Sequence, residues 1–448
     1  MKPLPWRILV LTEAVPDAGA AVRVPAGDPD AWLAAAGASV EVPKPGGGTA
    51  TLAPRRAADF EPAAVAAALG ADVAPAAVDA ALHAPAFQRL EAAYRGLALL
   101  LAHAGDAVAV EVQGAPRAAL AGPVRDAVYA REVAAEDPLT LVVVDHDFTH
   151  RGADLAVLRA LAETASALQV PLVANAGAGF FDVRFLVQIA AFQELMPRLG
   201  TAAHAPWREF QASEPARWTA LTINRFLLRA PWTPERGGHA EAVTDSNPES
   251  YLWGRGGWLV AAAVARSARE HGHALAIAGA QGGRFEGLPT RAFPTAVNET
   301  RALATETTVT DAQMPELERV GFTPLIGPLG ADSVLLPMVL TTFRLRPGVL
   351  TVEATLAYQI LAARLAHTCA RLLDTRPGDP AAAVEHLRAG LVEFLGGFAG
   401  EDPAAAVAVE VREVADGDRT ARVADVRVTP KIVLEGKNVE FAFGLPLG

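Results

Sequence analysis

Residues 139–179 read LTLVVVDHDFTHRGADLAVLRALAETASALQVPLVANAGAG. Leu139–Val144 is an apolar run broken only by Thr140, the length of a strand. Ala153–Ala165 then repeats apolar residues at three- and four-residue spacing, the pattern of a helix with one buried face. Val170–Ala174 is a second apolar run and reads as another strand. Strand, helix and strand in succession give an α/β (α+β) architecture, a sheet core with packed helices.

The same alternation extends outward. Arg7-Ile8-Leu9-Val10-Leu11 is continuous and β-branched enough to be buried on both faces. Asp28-Pro29-Asp30-Ala31-Trp32-Leu33 opens a short helix behind an aspartate cap. Val40–Val42 is a short strand, Lys44–Gly48 a flexible connection, and Asp59-Phe60-Glu61-Pro62 introduces an alanine-rich helix. Residues 1–75 therefore read as a small N-terminal module. Phe87–His103 is a strong amphipathic helix, Val108–Val112 a strand, Phe185–Leu195 a helix stopped by Pro197, Leu259–Glu270 a helix and Ala274–Ala278 a strand. Leu350–Asp374 and Pro380–Phe398 are the last helices. Three alternating runs follow: Val407/Val409/Val411, Ala424/Val426/Val428 and Val439/Phe441/Phe443, with Asp416-Gly417 as a hairpin turn between the first two. With no helix after them, these runs form a β-meander whose edges are open to a strand from another molecule.

Composition narrows the function. The 448 residues carry 39 Lys+Arg against 50 Asp+Glu, a net charge of −11. That balance excludes a chain whose main task is gripping nucleic acid or anionic lipid, which needs clustered cations. Cys369 stands alone, and no Cys/His group has zinc-ligand spacing. Apolar runs such as Leu97–Leu101 and Leu259–Ala265 fall short of the ~20 residues a membrane helix needs. Met1–Arg7 lacks the apolar core of a leader. A soluble, cytoplasmic protein without membrane insertion is the expectation.

Each chemical motif has a plainer explanation. Asp145-His146-Asp147-Phe148-Thr149-His150 follows a buried strand, where α/β enzymes place catalytic groups or metals. An α/β hydrolase or metal enzyme using Asp145, Asp147 and His150 is the alternative reading; a polar loop capping the next helix is the simpler one. Asn175-Ala176-Gly177-Ala178-Gly179 resembles a phosphate loop, yet Asp182 stands where a third glycine belongs. Arg225 and Arg229 are suited either to clamp a phosphate or to pair with carboxylates. Two tryptophans among the glycines of Tyr251–Trp258 read as tight packing at a helix start, and Cys369 as a small core residue. No Gly-x-Ser-x-Gly or His-Glu-x-x-His occurs. The chain is not expected to be an enzyme.

Several of these strings occur together, in this order, in one family. Phe87–Leu97 resembles the "FQ-LEA-WRGL" helix of the large sheath subunit of the bacterial type VI secretion system (the TssC, VipB or ImpC type), with Tyr94 in place of Trp. Asp145–His150 is similar to its "D-Y-E-F-S-H", Arg225–Arg229 to "R-LLR-P", and Tyr251–Gly254 to "YLWGN" with Arg255 replacing Asn. Glu286–Pro289 resembles "EGLP"; Glu306–Asp311, Glu316-Leu317 and Gly321–Leu325 resemble "TEV-ITD…EL--LGFIPL". The resemblance covers residues 82–375, leaving 376–448 as a helix and linking strands. Residues Arg7–Leu11, Asp28–Trp32 and Asp59–Pro62 look more like the small sheath subunit (TssB, VipA or ImpB).

The resemblance implies a structural subunit of a contractile sheath, a helical polymer around an Hcp-type inner tube and docked on a baseplate, with no catalytic residue, cofactor or metal. It implies family-motif core residues at Leu90, Glu91, Tyr94, Arg95, Arg225, Arg229, Trp253 and Gly254. It further implies inter-subunit strand linking through Val407, Val409, Val411, Val423, Val426, Val428, Val439, Phe441 and Phe443, and leaves two alternatives for the small sheath subunit: a separate partner, or a truncated module combined with the large subunit in this one chain. Family members are recycled by an AAA+ ATPase that engages an N-terminal helix of the large subunit; no segment matching that helix is found here.

Overall fold

The computed structural model describes residues 3–446 apart from 18, 71, 193, 297, 298, 347, 417 and 418. The chain forms two compact units. The larger holds Trp6–Leu350 with Ala354–Ala357, and the smaller holds Tyr358–Gly448 with Met1–Pro5 and Thr351–Glu353.

Seven strands build the sheet of the larger unit: β1 (Trp6–Thr12), β2 (Val22–Val24), β3 (Val108–Gly114), β4 (Leu141–Phe148), β5 (Leu172–Ala176), β6 (Thr219–Ile223) and β9 (Phe322–Pro324). Their order is β9-β6-β5-β4-β1-β3-β2, parallel throughout except for the short edge strand β2. Central parallel strands are covered on both faces, which accounts for the unbroken apolar run of β1: Ile8, Leu9 and Val10 have no exposed surface. Lying between β3 and β4, β1 places the expected 1–75 module's first strand at the middle of the main sheet. The expected boundary between residues 75 and 82 falls inside the larger unit, and the expected one at 375/376 inside the smaller.

Helix α1 (Pro85–Ala104) packs against α3 (Gly256–His271), which lies on β4 and β5; α2 (Gly152–Leu168) links those two strands. The approach of α1 to α3 is close because Gly96 lies against the indole of Trp258, where a Cβ would fall 2.6 Å from the ring. Off the sheet, β7 (Arg225–Arg229) pairs antiparallel with β8 (Leu252–Arg255).

In the smaller unit, helix α4 (Leu356–Asp374) from Tyr358 onward and helix α5 (Pro380–Leu395) accompany three strands, β10 (Val407–Asp416), β11 (Arg419–Val428) and β12 (Phe441–Pro446). Helix α5 starts on Asp379, whose carboxylate accepts from the Ala382 amide, with Pro380 at the first turn. Half-buried Arg364 of α4 donates to the Leu4 and Pro5 carbonyls at 2.7 and 3.1 Å, tying that segment to the helix. The strands form an antiparallel meander in the order β10-β11-β12.

The structure corrects several expectations. The meander is covered on one face: Val407, Val409, Val426, Val428 and Phe441 are buried, α5 packs on β10, and Tyr358 stacks on Phe441 at 4.8 Å. Val439 is buried but precedes β12 rather than belonging to it, and Gly417 lies outside the described residues. Residues Ala274–Ala278 form no strand. The expected helix over Phe185–Leu195 is a 3-10 turn, Leu186–Ala191, with Met196–Leu199 as a separate single turn. The long C-terminal helix begins at Leu356, not Leu350.

Candidate functional site

The strings Phe87–Leu97, Asp145–His150, Arg225–Arg229 and Tyr251–Gly254 converge where the C-terminal ends of β1 and β4 meet the first half of α1 and the β7–β8 pair. Glu91 of α1 has no exposed surface. Its Oε1 accepts from Arg95 Nε at 2.7 Å, one turn on, and from Arg229 Nε at 2.9 Å across from β7. Arg229 also grips Glu241 with two bonds, Nη1 to Oε2 at 2.6 Å and Nη2 to Oε1 at 3.1 Å. His83 Nε2 stands 3.2 Å from Glu241 Oε1, and the Trp232 amide donates to Oε2. Burial alone raises the Glu241 pKa, but the bonds from His83 and Arg229 overcome it and hold it at about 2.

Arg225 forms a second node, with Nε 2.7 Å from buried Glu306 and its Nη atoms 2.8 and 3.1 Å from Glu249. Trp253 donates its indole N–H to the Pro248 carbonyl at 2.8 Å. Gly254 faces Phe226 so closely that a Cβ would lie 2.7 Å from the ring. Leu90 is fully buried, and Tyr94 donates its hydroxyl to Asp30 Oδ1 at 2.6 Å, joining the segment after β2 to α1. The eight family-motif residues are thus packing and ion-pair groups of one region.

Asp145 is fully engaged. Thr12 Oγ1 and Trp258 Nε1 each donate to it at 3.1 Å, and Arg255 Nη1 lies 3.3 Å away. Arg255 also pairs with Asp147 at 3.1 Å and Glu13 at 3.4 Å, so one guanidinium is shared by three carboxylates. His146 Nε2 meets the Ala115 carbonyl at 2.8 Å, and burial keeps its pKa below the ordinary value. His150 turns away to Asp182, so the structure does not assemble Asp145, Asp147 and His150 as the hydrolase or metal-enzyme reading required.

The glycine-rich turn after β5 is a packing device. A Cβ on Gly179 would strike Thr149 at 2.6 Å, and one on Gly177 would press on Asp147 at 3.2 Å. Asn175 Oδ1 accepts from the Gly257 amide and from Thr222 Oγ1, locking β5 to α3 and β6. A polar pocket of about 280 Å³ opens among Glu13, Gln88, Arg89, Asp147, Arg225, Trp253 and Arg255. Arg255 and Arg225 already have carboxylate partners there. Nothing in its walls forms a nucleophile–base pair.

Residues 72–337 match a family model described as the EvpB/VC_A0108 tail sheath N-terminal domain, VipB. The chain belongs to this tail-sheath family. Among curated proteins it is similar to the type VI secretion system sheath protein TssC1 of Pseudomonas aeruginosa, 25% identical over 274 residues. That alignment covers 56% of this chain and 55% of the relative, so the match spans about half the relative's length. Among solved structures, the sheath tail protein of Desulfitobacterium hafniense aligns at a TM-score of 0.45, with 10% identity over 99% of this chain and 97% of that one. The contracted helical sheath of the anti-feeding prophage aligns at 0.43, with 12% identity over 92% and 84%.

Within the tail-sheath family match lie the helix Phe87–Leu97, the segment Asp145–His150 and the arginines Arg225 and Arg229. Sequence reading found these residues but not Glu241, Glu249 or Glu306 as their partners, because each lies 12 to 81 positions from the arginine it pairs with. No helix among the described residues is long and apolar enough to cross a membrane.

Proposed function

We propose that the chain is a structural subunit of a contractile sheath, assembling with copies of itself into a helical tube around an inner tube and acting mechanically, without catalysis. The observation that carries this reading is the tail-sheath family match over residues 72–337. The partners it implies are a separate small sheath subunit, an Hcp-type inner tube and a baseplate, and the working compartment is the cytoplasm.

The meander supplies the linking surface. Its outer strands have very different edges. β10 carries Glu410, Arg412 and Glu413, and charge on an edge strand discourages pairing. β12, Phe-Ala-Phe-Gly-Leu-Pro, carries no charge at all. We place the neighbour's strand on β12, where main-chain hydrogen bonds supply the link while the subunits rotate. Ala442 is exposed on the outer face of β12 and opposes Arg427, so a lysine there adds like charge beside the edge without entering the core. Sedimentation of Ala442→Lys should show a folded protein with assembly reduced at least about tenfold, while Ala442→Ser assembles normally. Undiminished assembly of the lysine variant would remove β12 from the linking role.

A further inference from the structure

We infer that His150, Asp182 and His204 form a binding site for a divalent cation of the zinc class, fastening together three loops at one end of the sheet. His150 follows β4, Asp182 caps the turn Ala178–Phe181, and His204 ends the turn Ala202–His204. One nitrogen of each imidazole and one carboxylate oxygen lie within 4.8 Å of one another. His150 Nε2 and Asp182 Oδ1 are 3.2 Å apart, close to the about 3.3 Å between neighbouring ligands of a tetrahedral ion with bonds of about 2.0–2.1 Å.

The hydrogen bonds leave the imidazoles ready to ligate. His204 Nε2 lies 2.8 Å from the Phe180 carbonyl, which only accepts, so that nitrogen carries the proton. His204 Nδ1 is then a lone pair, and at 2.9 Å it accepts from the Thr201 hydroxyl, a donor free to rotate away. A distal N–H held by a backbone carbonyl is how metal-binding histidines are usually oriented. His150 is 7% exposed, and its Nδ1 has no hydrogen-bond partner. Its Nε2 faces Asp182 and is the ligating nitrogen, so Nδ1, on the far side of the ring, carries the proton in the loaded site.

The neighbouring charges define the ligand. Asp182 supplies the one negative group, with Arg151 3.3 Å away and Arg208 on the adjoining helix. Two imidazoles and one carboxylate favour Zn²⁺, Co²⁺ or Ni²⁺ over Mg²⁺ or Ca²⁺, which prefer all-oxygen sites. Asp182 is half exposed and provides the way in. The rings stack at 3.9 Å with 29° between their planes, so loading tilts the His150 ring out of the stack while His204 keeps its bond to Phe180 and releases the Thr201 hydroxyl from Nδ1.

The test uses the full chain, stripped with EDTA and titrated with ZnCl₂ by calorimetry, with MgCl₂ as the control. The site predicts one saturable equivalent of zinc, a raised melting temperature, and no response to magnesium. Asp182→Asn keeps the left-handed backbone (φ 53°) that asparagine tolerates, so it should fold and bind zinc at least about tenfold more weakly. His204→Asn should do the same, and tetrahedral absorption from Co²⁺ should disappear in both variants. Absence of saturable uptake by the unaltered chain overturns the site. So does uptake unchanged in Asp182→Asn, which would assign the metal to another histidine such as exposed His271.

Discussion

Glu91 shows how the residue scale operates. A carboxylate with no exposed surface is tolerable only because Arg95 and Arg229 both donate to it. Removing Arg229 leaves Glu91 with Arg95 alone and takes both guanidinium bonds from buried Glu241, so Arg229→Met is expected to destabilise the protein by about 3–5 kcal/mol in urea unfolding, whereas Glu91→Gln costs less. Glu241 adds a pH signature. Its folded pKa of about 2 lies below the ordinary 4.5, so its contribution is fully present above pH 4.5 and is lost as pH falls toward 2. Glu241→Gln should therefore be less stable at pH 7 and flatter than the parent between pH 4.5 and 2 in a melting-temperature series. The arginines were legible in the sequence as pairing groups. Their acids were not, because pairs such as Arg225–Glu306, 81 positions apart, are made by the fold. The histidine–aspartate cluster was hidden in the same way, its members coming from three separate loops.

At the scale of elements, legibility followed burial. β1 and α1 each carry one uninterrupted signal, a two-sided apolar run or a single apolar stripe, and form where expected, whereas β4 runs on past the expected end at Val144 through Asp145, His146 and Asp147 to Phe148, because pairing with β5 continues there. β6 and β9 escaped because Thr219, Thr222 and Pro324 break their runs; the two threonine hydroxyls find partners in the fold, Thr219 at the Pro215 carbonyl and Thr222 at Asn175. Ala274–Ala278 has an apolar sequence but no neighbouring strand to complete a ladder, so it remains irregular. Glycine positions carry the sharpest element-scale test. Gly96 is the point where α1 meets Trp258, and a methyl group there has only 2.6 Å. Gly96→Ala is expected to cost about 1–3 kcal/mol despite alanine's better helix propensity, read by thermal unfolding. A stabilised Gly96→Ala would show that the two helices separate readily.

For the whole molecule, the α/β class was readable from the alternation of strands and helices, and the collinear strings agree with the tail-sheath family match. The covering of the meander was not readable, since the packing of Tyr358 on Phe441 joins residues 83 positions apart. The consequence for assembly is specific: with one face buried, the meander has its outer face and two edges to offer, and the uncharged edge is β12. The most direct test of the sheath reading is electron microscopy of the purified full chain, alone and with its small-subunit and inner-tube partners supplied. The account predicts hollow helical tubules of variable length that occur in a long, narrow form and a short, wide one. A sample that stays monomeric in every mixture, or closes into particles of one fixed size, would contradict it.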